Sequence, residues 1–207
     1  TGNGMYPGAG TVSWHALREG KVGITISTLL PRLNRKGVLS HYQSREAAYG
    51  ACHAQLQYYR ALSARGVLRE VPDALTLEAH VRQWESDKSG TLPIGYIVSM
   101  EGSPGILSPQ QISDWFDAGL RILGPSHYGV SPYTHGTGSE GGLLPDGPAL
   151  LREMDQVGMI LDVTHLADQS FWEALEVFEG PVLASHHNCR SLVPADRQLA
   201  DDQMKAL

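Results

Sequence analysis

Two short apolar segments of the chain each end at a histidine. The first, "GMILDVTHLAD", covers residues 158–168 and reaches His165, and the second, "GPVLASHHNCR", covers residues 180–190 and reaches His186. Continuous apolar runs of this length are typical of strands in a parallel sheet whose two faces are covered by helices. A helical pattern at 168–180 separates the two segments. This alternation predicts an α/β fold.

The same alternation extends towards the N terminus. Three more apolar segments are predicted to be strands, at 21–27, 92–101 and 120–127. The helices predicted around the strands lie at 44–66, 75–86, 108–119, 148–158, 168–180 and 199–207. The segment 128–147 is long and rich in glycine, and loops of that length inside a domain are usually functional.

Four polar side chains stand at the C-terminal ends of successive predicted strands: Glu101, His127, His165 and His186. The (β/α)8 barrel places its chemistry at this end of its strands. A doubly wound sheet fits the same alternation, but no glycine-rich nucleotide-binding motif follows the first predicted strand. The pattern therefore favours an α/β fold of the (β/α)8 TIM-type barrel class.

The length of the chain bears on how much of a barrel it contains. A complete barrel needs about 250 residues, roughly thirty per strand–helix unit. The chain has 207 residues, in which five or six units can be counted. We therefore expect residues 1–207 to form a single barrel domain that is incomplete at both ends, a partial barrel lacking its first and last strands.

Composition and charge exclude several classes of partner. The net charge is −6 and no block of like charges occurs, which argues against nucleic acid or an anionic membrane surface. No apolar stretch approaches the ~20 residues of a membrane span, and "TGNGMYPGAG" at the start lacks a signal-peptide pattern. The two cysteines, Cys52 and Cys189, form neither a disulfide framework nor a CxxC metal motif. The sequence thus indicates a soluble segment and no particular compartment.

One carboxylate and two imidazoles at one barrel mouth match the ligands that zinc accepts, with a position left for water. We therefore interpret Glu101, His165 and His186 as a candidate metal site. Asp162, three residues before His165, is predicted to accept a hydrogen bond from the His165 ring and orient it. A metal ion at this place would lower the pKa of a water molecule towards neutrality.

Each of these side chains also has an ordinary structural interpretation. A single histidine at a strand end is more often a hydrogen-bonded structural residue, and a single glutamate before glycine is more often solvated. The coincidence of four such residues at four strand ends is what favours a site. The remaining histidines are interpreted as surface or packing residues: His15, His41, His53, His80, His135 and His187.

Longer stretches of the chain resemble a known family. They are "VSMEGSPGI" (98–106), "GLRILGPSHYG" (119–129), "LDVTHLADQSFWEALE" (161–176) and "GPVLASHHNCRSLVPADRQLADDQMKAL" (180–207). In this order they resemble the renal (membrane) dipeptidase family of zinc peptidases, which are amidohydrolase-type barrels. The resemblance runs from about Trp14 to the end of the chain and implies a metallo-dependent hydrolase.

The resemblance implies a zinc-dependent dipeptidase that hydrolyses the amide bond of dipeptides through a metal-bridging hydroxide. Its cofactor would be zinc, with two ions per complete chain, and its partner a small dipeptide substrate; a homodimer is compatible with it. Glu101 would bridge the two ions, and His165 and His186 would complete the shell of the second. His127 would stabilise the developing oxyanion, and Arg197 would hold the terminal carboxylate of the substrate.

The chain departs from the family pattern in two respects. The His-x-Asp pair that the family carries on its first strand has no counterpart before Trp14, and the late aspartate and tyrosine of the family would lie beyond Leu207. A truncated chain would explain both. Gly124 and Pro125 also replace residues common before His127, which leaves the substrate preference open.

Two alternatives therefore stay beside the dipeptidase interpretation. One is another amidohydrolase-type hydrolase acting on a lactone, an N-acyl amino acid or a lactam. Arg197 discriminates between the two, because only a substrate with a free carboxylate needs it. The other alternative is a non-catalytic dipeptidase-like barrel that has lost its first metal.

Overall fold

The computed structural model of the chain describes residues 12–33 and 42–207. The helices are α1 Trp14–Glu19, α2 Arg45–Ala64, α3 Ala74–Ser86, α4 Ile112–Asp117, α5 Gly147–Val157, α6 Asp168–Val177 and α7 Asp201–Ala206. The strands are β1 Ile24–Leu29, β2 Leu68–Glu70, β3 Ile94–Glu101, β4 Leu120–Gly124, β5 Ile160–Asp162 and β6 Val182–Leu183.

The strands follow one another in the order β1-β3-β4-β5-β6, and β2 pairs with β3. The pairings of β2 with β3, β4 with β5 and β5 with β6 are parallel. Within the described residues no pairing joins β6 back to β1, so the sheet is open. The predicted α/β class with a parallel sheet is confirmed.

The chain forms two compact units, and the candidate site residues Glu101, His127, His165 and His186 all lie in the second. The first unit contains residues up to Ser27 together with Leu56–Val98. In it the buried ring of His80 on α3 forms a hydrogen bond through Nε2 with the Gly23 carbonyl at 2.8 Å. A Cβ atom at Gly95 would lie 2.8 Å from the same ring, so this close packing needs a glycine there.

The second unit contains Thr28–Gln55 and Ser99–Leu207. Ile122 on β4 pairs with Ile160 on β5, and Leu161 on β5 pairs with Val182 on β6. Helix α5 turns a face towards this sheet whose members are all buried: Leu150, Leu151 and Met154. Burying one such side chain stabilises the fold by roughly 1.5–3 kcal/mol. The prediction of a single barrel domain over residues 1–207 stays a prediction.

Several elements differ from the sequence expectation. The short elements α1 and β2 were not predicted, and the predicted helix 108–119 divides into a 3₁₀ turn at Pro109–Gln111 followed by α4. The side chain of Ser108 caps no backbone N–H. Gln111 instead accepts a hydrogen bond from the Leu107 N–H at 2.9 Å, which holds the turn from the preceding residue.

Candidate metal centre

Four side chains predicted from strand ends meet at one place in the second unit. Glu101 is the last residue of β3, and its Oε1 lies 3.0 Å from His165 Nε2 and 3.1 Å from His186 Nε2. His127, three residues after β4, has its Nε2 3.5 Å from the same oxygen. The ligand atoms of Glu101, His165 and His186 all lie within 4.8 Å of one another.

The backbone turns sharply beside two of these residues. Gly102 follows Glu101 with φ +84° and donates its N–H to the Gly124 carbonyl at 2.8 Å. His165 itself has φ +74°, a left-handed conformation that costs a residue with a side chain of the order of 1–3 kcal/mol. Its carbonyl accepts the Thr137 N–H at 2.8 Å, which holds this strained turn. Strain of this kind is concentrated at functional sites.

The far nitrogen of the His165 ring is held by the glycine-rich loop. His165 Nδ1 lies 3.0 Å from the Thr137 hydroxyl, whose own proton points to the His165 carbonyl at 3.5 Å. The hydroxyl can therefore accept a hydrogen bond from Nδ1. In the tautomer with its proton on Nδ1, the lone pair of Nε2 faces Glu101; in the other tautomer, Nε2 donates to Glu101 Oε1 at 3.0 Å.

The far nitrogen of the His186 ring is held by Ser185. The Ser185 hydroxyl donates to Asp162 Oδ2 at 2.5 Å, so it accepts from His186 Nδ1 at 2.8 Å. Asp162 Oδ1 accepts the N–H groups of Thr164 at 3.0 Å and Ser185 at 3.2 Å. The lone pair of His186 Nε2 is thereby also turned towards Glu101.

The predicted contact between Asp162 and the His165 ring is wrong. Both nitrogens of that ring have other partners, Glu101 and Thr137. Asp162 acts on His186 instead, through Ser185. The prediction assumed that Asp162 and His165 lie on one regular strand. Asp162 instead ends β5 beside β6, and the backbone at His165 is in the left-handed conformation.

Burial and neighbouring charges set the ionisation of the centre. Burial opposes ionisation of Glu101, but a hydrogen bond with His165 and the charges of His127, His165 and His186 together lower its pKa to about 2. Burial, reinforced by His165, lowers the pKa of His127 to about 4 although Glu101 acts in the opposite direction. At neutral pH Glu101 is therefore a carboxylate and His127 a neutral imidazole.

Two arginines approach the centre. Arg197 donates from Nη2 to the His186 carbonyl at 2.6 Å, while its Nη1 is buried without a hydrogen-bond partner among the described residues. Arg32, just after β1, places Nη2 3.3 Å from His127 Nε2. Arg190 holds the segment that carries Arg197, because it binds both oxygens of Asp168 at 2.6 Å and the Gln198 carbonyl at 2.9 Å.

Sequence reasoning missed three residues of this region. Ser185 carried a signal, since it precedes a predicted ligand, and Thr137 lies in the loop 128–147 whose length already indicated function. Arg32 carried no signal beyond its place after the first predicted strand. Asp168, at the start of the helix predicted over 168–180, is the first residue of α6 and pairs with Arg190.

Among the described residues, the histidines interpreted as surface or packing residues contribute no ligand atom to the cluster of Glu101, His165 and His186. His53 stacks on Trp115 at 4.3 Å between ring centroids, and the His135 ring contacts the Gly142 carbonyl. His15 is exposed and His187 is half-buried. His41 lies outside the described residues.

Comparison with known proteins assigns the chain to one family. Residues 7–207 match the family described as membrane dipeptidase (peptidase family M19). The chain belongs to this family, and the resemblance recognised in the sequence is confirmed.

Individual relatives are distant and longer. The chain is 28% identical over 123 residues to an uncharacterised protein in the PQQ-III 3′ region of Acinetobacter calcoaceticus, which covers 55% of this chain and 39% of that protein. It is 30% identical over 129 residues to the dipeptidase verJ of Clonostachys rogersoniana, covering 60% and 33% respectively. The chain thus spans less than half the length of these relatives.

Solved structures show the same fold. The crystal structure of the metallo peptidase dipeptidase AC superposes with a TM-score of 0.79 at 22% identity, over 96% of this chain and 60% of that one. The probable dipeptidase PvdM from Pseudomonas aeruginosa gives 0.79 at 16% identity, over 97% and 52%. A Rhodobacter sphaeroides metallo peptidase with a phosphinate mimic of L-Ala-D-Ala gives 0.75 at 22% identity, over 96% and 62%.

Among the described helices, none combines the length and apolar character needed to cross a bilayer.

Proposed function

We propose that the protein is a zinc-dependent dipeptidase that hydrolyses the amide bond of a dipeptide. The observation that carries the proposal is the convergence of Glu101, His165 and His186 from the ends of β3, β5 and β6 in a chain of the membrane dipeptidase family. The Rhodobacter sphaeroides structure supports the substrate class, because its ligand mimics a dipeptide.

The donor set fits a zinc ion. Thr137 and Ser185 can accept from the Nδ1 atoms of His165 and His186, and in the tautomers with both ring protons on Nδ1 the Nε2 lone pairs face the Glu101 carboxylate, so three acceptors converge. Acceptors this close need a cation or protons between them. Imidazole nitrogen and carboxylate oxygen are ligands that zinc takes in catalytic sites.

Zinc held here would act as a Lewis acid and make water nucleophilic at neutral pH. The chain's own residues would do the rest. His127, beside Glu101, would face the scissile carbonyl and stabilise charge that develops on its oxygen. The partnerless Nη1 of Arg197 would bind the terminal carboxylate of the substrate. That contact favours a dipeptide over a lactone or a lactam, which lack a carboxylate.

The experiment measures metal content and dipeptide hydrolysis of the purified protein. We expect bound zinc, with hydrolysis lost on chelation and restored by zinc. Glu101→Gln keeps the shape of the side chain but removes its charge. We expect it to reduce metal affinity and activity by more than the roughly 10–100-fold seen for groups behind the ligands.

Glu179→Gln is the matched control, because it makes the same change at an exposed position beyond α6. It should retain zinc and activity. A folded protein that refuses zinc on titration, or whose hydrolysis survives both chelation and Glu101→Gln, would overturn the proposal.

A further inference from the structure

A cavity of about 350 Å³ opens beside the candidate centre in the second unit. Pockets that bind small molecules have volumes of roughly 300–1,000 Å³. The floor of the cavity includes Glu101 and His127, and the side chains of its walls are mostly apolar: Pro31, Leu33, Pro104, Tyr128, Val130 and Pro132. Tyr128 and Val130 are 56% and 50% exposed, so a ligand here would cover apolar surface.

The cavity carries one permanent cation. Arg32 lines it and is exposed; its Nη2 lies 3.3 Å from His127 Nε2, and in the part of the chain that the structure describes it forms no ion pair with a carboxylate. Glu101, the acidic side chain that shares the cavity, is engaged by His165 and His186 at 3.0 and 3.1 Å. An arginine among apolar walls fits a side chain with methylene groups and a terminal carboxylate, which the planar guanidinium can pair with through two hydrogen bonds.

The strand order indicates which end of a substrate would reach this cavity. Arg197 lies after β6, at one end of the row of strands, and Arg32 lies after β1, at the other. Glu101 and His127 follow β3 and β4 between them. A dipeptide whose terminal carboxylate is held by Arg197 and whose carbonyl faces His127 would direct its N-terminal residue towards Arg32.

We propose that Arg32 and this cavity form the subsite for the N-terminal residue and select dipeptides whose first side chain ends in a carboxylate. The inference rests on the proposed dipeptidase function and names the substrate class of the same site. Glutamyl and aspartyl dipeptides are the class it defines.

The test compares glutamyl-alanine with glutaminyl-alanine, which differs in one charged group. A charge-assisted hydrogen bond is worth roughly a tenfold effect or more. We therefore expect kcat/KM for the glutamyl substrate to be about tenfold higher with the native protein. In Arg32→Gln this ratio should fall to about one, and in Arg32→Glu the preference should shift to lysyl-alanine.

Arg152→Gln is the matched control, because it removes an exposed arginine from α5 and should leave the ratio unchanged. Calorimetric affinities for the two peptides, measured on catalytically inactive Glu101→Gln protein, give a second readout. If neutral dipeptides are hydrolysed but the ratio is near one in the native protein, the subsite proposal is wrong and the proposed function stands. If no dipeptide is hydrolysed, the function is wrong, and a tighter affinity for glutamyl-alanine that Arg32→Gln abolishes still supports the subsite.

Discussion

The two histidines that face Glu101 are oriented by hydroxyl groups from different parts of the chain. Ser185 lies next to His186 and forms hydrogen bonds with both His186 and the Asp162 carboxylate. Thr137 contacts His165 from the glycine-rich loop. Each hydroxyl is placed to accept a hydrogen bond from Nδ1, the arrangement that presents the lone pair of Nε2 to the centre. Partners behind the ligands set the basicity and direction of metal-binding histidines.

Removal of these hydroxyls should weaken metal binding without removal of a ligand. We expect Ser185→Ala and Thr137→Val each to reduce zinc affinity by about 10–100-fold, since the imidazole loses the acceptor that fixes its tautomer. Competition against a chromophoric chelator measures this. Ser113→Ala removes an exposed hydroxyl that bonds only to the Gln110 carbonyl and should have no effect. Equal affinities in all three variants would show that the hydroxyls do not orient the ligands.

At the residue scale the sequence predicted where the site residues lie better than it predicted their hydrogen-bond partners. Glu101, His127, His165 and His186 could be predicted to lie together because each follows an apolar strand in a parallel arrangement. The link from Asp162 through Ser185 to His186 could not, because it depends on the side-chain hydrogen bonds that Ser185 forms with both. Whether those residues bind metal stays a prediction that the experiments above test.

At the element scale the predicted helices with strong caps or stops were the accurate ones. The helices predicted at 44–66 and 148–158 correspond to α2 and α5: Ser44 caps α2 by accepting the Ala47 N–H, and Gly158 ends α5 in the left-handed conformation. Elements of three to six residues, β2 and α1, gave no usable periodicity. Their formation depends on partners distant in sequence, such as the pairing of Leu68 with Ile94.

Two glycines should respond in opposite directions to substitution by alanine. A Cβ atom at Gly50 or at Gly158 would have no atom within 4 Å, so only backbone conformation separates them. Gly50 lies inside α2, where alanine should raise the free energy of unfolding by about 0.5–1 kcal/mol. Gly158 has φ +73°, where alanine should lower it by about 1–2 kcal/mol. Urea unfolding of the two variants measures both, and shifts of the same sign would refute the assignment of the α5 terminus.

At the scale of the whole molecule, four carboxylates of the described residues besides Glu101 have a pKa below the ordinary value: Glu46, Asp87, Asp168 and Glu173. For each group a hydrogen bond to the ionised form is the largest cause. A pKa lower in the folded than in the unfolded protein stabilises the fold above the unfolded pKa, and this contribution is lost as the pH falls through the folded pKa. The free energy of unfolding should therefore decrease as the pH falls below about 4.

Asp168 links three parts of the second unit, so it tests this dependence. It begins α6, binds Arg190 in the segment before α7 through two contacts of 2.6 Å, and accepts from Gln203 on α7. Asp168→Asn cannot ionise, so the loss of stability between about pH 6 and about pH 3 should be smaller in this variant. Because its side chain is 53% exposed, the difference should be below about 1 kcal/mol.

Arg190→Gln is the companion variant, since it removes the cation but keeps the titrating carboxylate. Its loss of stability on acidification should also be smaller than that of the native protein, because the Arg190 hydrogen bond is the first cause of the lowered Asp168 pKa. The Asp168→Asn and Arg190→Gln changes should not add in the double variant, since either one alone removes the same interaction. Urea unfolding at both pH values measures all four proteins, and a native pH dependence in the double variant would assign the acid sensitivity to other carboxylates.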